Sequence, residues 1–276
     1  FFCCLVSMIC SNLVSMLPAR SRLSTISFAF VLFLFQSGVA LGAQAQLALI
    51  VDDVCGGTWA QTRPVLDIAA RIPMALSVLP NGEEACRKRL YKAGIPTTST
   101  IMLHMPMEPK GHEDPGPGAL LASDTAEVIR AKLDTAIKAV PGAKGVNNHM
   151  GSAVTGESTA LTDVLGWAKS HGLFYVDSAT NVFDACKLAV RSGVPCARNH
   201  VFLDNDLDLY AIARQLEKAR KLSLKTGEAV IVIGHPHRQT LDVLRSFIKR
   251  NRVAFVPIAR VLPQPAARSL PRSLFR

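Results

Sequence analysis

Three motifs that announce common enzyme chemistries are missing from this 276-residue chain. It has no Gly-x-Ser-x-Gly elbow, no Gly-x4-Gly-Lys-Ser/Thr loop and no Gly-x-Gly-x-x-Gly turn. Their absence argues against serine-hydrolase chemistry and against a backbone cradle for nucleotide phosphates. No Cys-x-x-Cys or Cys-x-His spacing occurs, which argues against a cysteine-built metal site. There is also no internal repeat of solenoid period and no low-complexity segment. The net charge is +10, but no helix-turn-helix, zinc-finger spacing or aromatic-interleaved basic stripe accompanies it, so nucleic acid is not the expected partner. Much of the excess sits in Lys218–Lys225, Arg245–Arg252 and Arg260–Arg276. A solvated basic face accounts for it, and attraction to an anionic envelope is the functional alternative.

What the chain does have is a recurring pattern. Six apolar runs each end in a small cluster that contains Asp, Asn or His: Leu47–Asp53, Ile101–His104, Gly145–His149, Leu173–Ser178, Val201–Asp206 and Ala229–His237. A buried strand explains each run but not the polar cluster at its end. Strands alternate with helical patterns, which predicts parallel pairing with right-handed crossovers. Seven to eight mainly parallel strands in one α/β domain favour a distorted or incomplete (β/α) barrel. The C-terminal ends of its strands would then meet in one pocket. With 49% apolar residues, one domain over residues 46–263 suffices. Helices are expected at about Ala60–Ala70, Glu83–Ala93, Ser123–Val140, Thr159–Ser170, Val182–Arg191, Leu209–Thr226 and Thr240–Arg250. Asp124 and Glu127 suggest a capping box for the third of these. Pro106–Gly118 reads as a functional loop.

Residues 1–45 read as a targeting segment. Arg20 and Arg22 precede an apolar stretch from Ile26 to about Ala40, and Ala43-Gln44-Ala45 fits a small-x-small cleavage site. A start at Met16 and cleavage after Ala45 would deliver a periplasmic or secreted protein, and an uncleaved leader would tether it. Residues 264–276 form a basic tail. Four cysteines would remain in the mature chain: Cys55, Cys86, Cys186 and Cys196. They allow three pairings. Cys186–Cys196 would close a short loop, and Cys55–Cys86 would pin the first β–α unit.

Several constellations carry chemistry. Asp52 and Asp53 end a fully apolar strand, where a turn can bring both carboxylates into one pocket as a metal ligand and a base. His104 and Glu108 are imidazole and carboxylate donors suited to a divalent ion such as zinc. Asn147, Asn148 and His149 form a dense donor cluster, with Gly151 allowing close backbone approach. Asp177, Asp204, Asp206 and His237 end other strands. Asp204-Asn205-Asp206-x-Asp208 lacks the Gly and bidentate Glu of an EF-hand. His235 could act as general acid or base. Four of the seven histidines lie in or just after these clusters.

VDD, LHMPMEP, GHEDPGPGAL, GVNNHMGS, YVDS, VFLDND and GHPH, in this order, resemble the divergent polysaccharide deacetylase family from about Leu47 to Leu262. The resemblance implies a distorted (β/α) barrel, a divalent metal, usually zinc, and hydrolysis of an acetamide on a carbohydrate. It implies Asp52 as base, Asp53 and His104 as ligands, and His235 as the acid that protonates the leaving amine. Set against the relatives' His-x3-His motif, Glu108 stands where the second histidine would be, and the resemblance implies His149 as the substitute third ligand, with Glu108 either a further ligand or a pocket residue. Asn147 and Asn148 would position the sugar or stabilise the oxyanion. Two rival functions are a non-catalytic periplasmic protein that binds glycan or a partner in the same pocket, and a glycosidase using Asp53 and Asp206.

Overall fold

The central strand of the sheet, β1 (Ala45–Val54), is buried on both faces, as its unbroken apolar run requires. The computed structural model describes residues 44–156, 159–250 and 252–263. Residues 1–43 of the expected targeting segment and the expected basic tail from 264 lie outside the described residues. The other strands are β2 (Ala75–Val78), β3 (Thr100–Met107), β4 (Gly145–Met150), β5 (Phe174–Asp177), β6 (Cys196–Arg198), β7 (Val201–Phe202), β8 (Val230–Gly234) and β9 (Val253–Phe255). The helices are α1 (Trp59–Ala69), α2 (Glu84–Ala93), α3 (Ala126–Ala139), α4 (Thr159–Ser170), α5 (Ala185–Ser192), α6 (Leu209–Thr226) and α7 (Arg238–Lys249). None of these is long and apolar enough to cross a membrane.

The strand order is β6-β5-β4-β3-β2-β1-β8-β7, with every pair parallel. β6 and β7 stand at opposite ends of that order, yet only Asn199 and His200 separate them in the chain. Such a link spans at most about 11 Å. The sheet must therefore curl until its two edges nearly meet. The link itself stitches them: Asn199 N–H donates to Asp177 O at 2.8 Å, and His200 N–H to Ile231 O at 3.3 Å. β6 and β7 are not themselves paired, so the barrel is incomplete. Leu47 pairs with both Val230 and Phe255, so β9 must lie on the β2 side of β1.

The two-residue period of the strands sorts side chains into two cores. Leu47, Leu49 and Val51 face the helices, in a cluster with Leu103, Val146 and Leu216. Ala48 and Ile50 face the interior, with Ala75, Met102, Val176, Ile231 and Ile233. Ile258, in a short 3-10 turn, joins that interior cluster. It follows β9, which pairs with the N-terminal end of β1, so it plugs the barrel at the end opposite the polar clusters.

Local chemistry explains the helix ends. Asp208 and Asp184 accept from Ala211 N and Cys186 N at 2.9 and 3.1 Å, capping α6 and α5. Gly193 and Gly227 supply the left-handed residues that end α5 and α6. The expected capping box at Asp124 and Glu127 does not form. Thr125 is the N-cap, accepting from Val128 N, while Asp124 turns back to Leu121 N and pairs with Lys132 at 2.6 Å. The loop expected to begin at Pro106 starts later, because β3 runs to Met107. β2 ends at Val78, opposite Leu103, and beyond it Leu120 takes over this edge of β3, bonding to Pro106 O and Glu108 N, so no partner needs the N–H that Pro106 lacks.

Both disulfides join pairs that the spacing had singled out: Cys55–Cys86 and Cys186–Cys196, with Cα separations of 5.5 and 5.3 Å. Their sequence separations are 31 and 10 residues. Loop-closure entropy then predicts that Cys86→Ser lowers unfolding free energy by about 3–4 kcal/mol, and Cys186→Ser by about 2.5–3 kcal/mol. Denaturant midpoints of the two variants check this, and equal losses would contradict the ranking.

Candidate active site

At the C-terminal end of the barrel the interior changes from apolar to polar within one residue layer. The alternation that buries Ala48 and Ile50 brings Asp52 to the same face of β1. On β3 Met102 is followed by His104, and on β4 Asn147 is followed by His149. The register makes these level: His104 pairs with Asn147, and Val51 with Gly234, so His235 emerges beside Asp52.

Asp53 should point to the other face, and a backbone irregularity prevents it. The β1–β2 register shifts between Val51 and Val54, and Asp53 has φ +53°. Aspartate tolerates this left-handed conformation better than most residues. Every non-glycine residue with positive φ among those described lies in the last two residues of a strand or within two residues beyond it, at this end: Asp53, Cys55, Met150 and Ala179. Such strain collects where side chains must be aimed. Gly151 (φ +86°) follows the same logic, since a Cβ there would lie 2.9 Å from Met107 Cβ.

The result is a tight trio. Asp53 Oδ1 lies 3.1 Å from His104 Nε2 and 2.9 Å from His149 Nδ1, and the two ring nitrogens are 3.3 Å apart. His104 is fully buried, whereas Asp53 and His149 are about a quarter exposed, so the trio opens to one side. Buried Asp53 Oδ1 has no hydrogen-bond partner of proper geometry. An oxygen and two imidazole nitrogens converging on one point, one of them an orphaned carboxylate oxygen, form a fitting donor set for a divalent ion. Burial, the largest single influence on Asp53, would raise its pKa, but His104 and His149 together hold it well below the usual carboxylate range. Burial likewise disfavours a charged His104, but Asp52, Asp53 and Asn147 together raise its pKa.

Asp52 stands beside the trio, with Oδ2 3.8 Å from His104 Nε2. Its Oδ1 accepts from Asn147 Nδ2 at 2.9 Å. His235 Nδ1 contacts Asp204 Oδ1 at 2.9 Å. Asp204 Oδ2 accepts from His235 N and Thr240 Oγ1 at 2.7 and 2.8 Å, which locks the carboxylate. Burial works against a charged His235, but the Asp204 contact, with Asp52 and Asp53 behind it, raises its pKa to about 9.

The chain matches the divergent polysaccharide deacetylase family over residues 49–262. It belongs to that family. An uncharacterized protein of Haemophilus influenzae is 30% identical over 208 residues, covering 75% of this chain and 72% of the relative. The uncharacterized protein YibQ of Escherichia coli is 30% identical over 228 residues, covering 82% and 68%. A crystal structure of an uncharacterized Agrobacterium tumefaciens protein shares the fold, with a TM-score of 0.69 at 20% identity over 80% of this chain and 90% of that one.

Within this deacetylase-family chain, several residues singled out by sequence are used elsewhere. Glu108, which the resemblance set against the relatives' second histidine, stays out of the trio. Its Oε2 accepts from Ala122 N at 2.8 Å and fastens the loop after β3. Asp177 lies on the helix side of β5, where it accepts from Ala179 N and Ala185 N and pairs with Arg198 at 2.9 Å. Asn148 faces away from Asn147. All its hydrogen-bonding capacity goes to Tyr175 Oη, Ser178 N, Met150 O and Thr180 Oγ1, leaving none for a sugar or oxyanion. Asp206 is exposed and accepts from Asp208 N at 2.9 Å. His237 is at the pocket rim as the N-cap of α7, its ring 5.9 Å from that of His235. With Asp204 and His235 it forms a second His/Asp cluster. Two hydroxyls that the sequence did not single out as site residues, Ser77 and Ser178, bracket Asn147, although Ser178 closes one of the strand-end clusters. Ser77 carried a faint signal as the one hydroxyl in the apolar strand β2.

Proposed function

We propose that this protein is a metal-dependent hydrolase that removes N-acetyl groups from a cell-envelope carbohydrate. The observation that carries the reading is the Asp53–His104–His149 trio with the free oxygen of Asp52 beside it. Asp53, His104 and His149 would hold the ion, and a nitrogen-rich set with one carboxylate suits zinc. When bound, the ion supplies Lewis acidity for the acetamide carbonyl and for a water molecule. Asp52 then takes the proton of the attacking water at Oδ2, since Oδ1 is already held by Asn147. His235, kept protonated by Asp204, delivers a proton to the leaving nitrogen, which would otherwise depart as an unstable amide anion. Family membership supports the carbohydrate substrate. Two disulfides, together with the apolar leader, support an oxidising compartment outside the cytoplasm.

The test is elemental analysis of purified wild type, His104→Ala and His149→Ala, followed by assays on N-acetylated sugars. About one ion per chain in wild type, lost in both variants, is expected. Absence of metal from wild type after reconstitution would overturn the mechanism. Metal without hydrolysis of any N-acetyl sugar would transfer the pocket to a glycan-binding role.

A further inference from the structure

Asn147 is fully buried at the junction of the trio and the base. Its side chain makes four contacts and has no hydrogen-bonding capacity left. Nδ2 donates to Asp52 Oδ1 at 2.9 Å and to Ser178 Oγ at 3.2 Å. Oδ1 faces His104 Nδ1 at 3.0 Å and accepts from Ser77 Oγ. Two independent constraints set which end is which. A carboxylate can only accept, so the amide NH2 must face Asp52. Ser178 Oγ spends its own proton on Asn148 O at 3.0 Å, so towards Asn147 it too can only accept. The amide oxygen is therefore left for His104, whose Nδ1 must carry the proton. His104 Nε2 then offers its lone pair towards Asp53 and His149.

We propose that Asn147 is the positioning residue of this site, presetting His104 as an Nε2 donor while aiming Asp52. The inference rests on the metal-site reading above. Outer partners of this kind typically change metal affinity by about 10–100-fold. One side chain here serves ligand and base at once, so the two functions can be separated by substitution. Asn147→Leu removes both. Asn147→Asp keeps an oxygen for His104 but sets a second acceptor against Asp52. Adding Asp52→Asn to that variant restores a donor–acceptor pair with its polarity reversed.

The experiment measures zinc affinity by competition with a chromophoric chelator, the His104 ring by 1H–15N spectra of zinc-loaded protein, and thermal midpoints. Folded Asn147→Leu should bind zinc about 10–100-fold more weakly than wild type, while Asn147→Asp should retain zinc and the proton on His104 Nδ1. Asn147→Asp should melt below wild type, and Asp52→Asn/Asn147→Asp should recover most of the loss, as coupled neighbours do. Wild-type zinc affinity in folded Asn147→Leu, loss of the Nδ1 proton in Asn147→Asp, or no recovery in the double variant would each overturn the proposal. If Asn147→Leu does not fold, the Asp series decides. Wild type that takes up no zinc would instead sink the metal reading, a distinct result, while the thermal series still tests the link to Asp52.

Discussion

Asp53→Asn is expected to empty the site of metal, whereas Asp52→Asn, one residue earlier, should keep the metal and lose the reaction. The contrast follows from backbone geometry rather than residue type. Asp52 is the last interior residue of the regular strand, with Oδ1 held by Asn147 and Oδ2 3.8 Å from His104 Nε2. Asp53 is swung inward by its positive φ and supplies the oxygen between the two imidazoles. Asparagine at 52 can still accept from Asn147, so the surroundings persist while the base is gone. Removing a general base costs about 10²–10⁴-fold in rate. At position 53 a direct ligand disappears, so affinity should fall by more than the roughly 10–100-fold attributed to outer partners. Metal content measured beside hydrolysis of an N-acetyl sugar separates the two. Loss of metal from both variants would mean that Asp52 is a ligand, and full activity in Asp52→Asn would remove it from the mechanism.

The second large effect concerns pH. His235 has a folded pKa of about 9 against an ordinary value of 6.5. Because folding raises it, the Asp204–His235 interaction contributes fully below pH 6.5 and is lost as pH climbs through 9. The span corresponds to up to about 3 kcal/mol. Unfolding free energy should therefore decline across that window in wild type, and Asp204→Asn should be less stable at neutral pH with a flatter profile. The same pair should set the alkaline limb of kcat/KM near pH 9, moved towards neutrality in Asp204→Asn. Parallel stability profiles in the two proteins would show that the contact does not hold the proton.

Much of this arrangement was legible before any coordinates. Five of the six strand-end clusters contribute Asp52, Asp53, His104, Asn147, His149, Asp204 and His235 to the polar end of the barrel. The runs themselves were readable because continuously apolar strands are what a two-sided sheet demands. β6 was not, since Cys196-Ala197-Arg198 is neither apolar nor long, and it joins the sheet only because β5 offers an edge. The helix at Asp124 began one residue later than its charges suggested because Lys132 captured that carboxylate.

By itself the sequence determined which residues share a strand face, because side chains alternate with period two along an extended backbone. That is why Asp52, His104, Asn147 and His149 could share the barrel interior. The tertiary structure alone decided what alternation cannot reach. A bulge turned Asp53 inward against its parity, and the folding back of residues 108–122 took Glu108 out of contention as a ligand. Asp177 and Asn148 were claimed by neighbouring N–H groups that would otherwise be buried without acceptors. A polar side chain at a strand end goes wherever the surrounding backbone leaves hydrogen bonds unmet, and that demand exists only once the chain has closed around it.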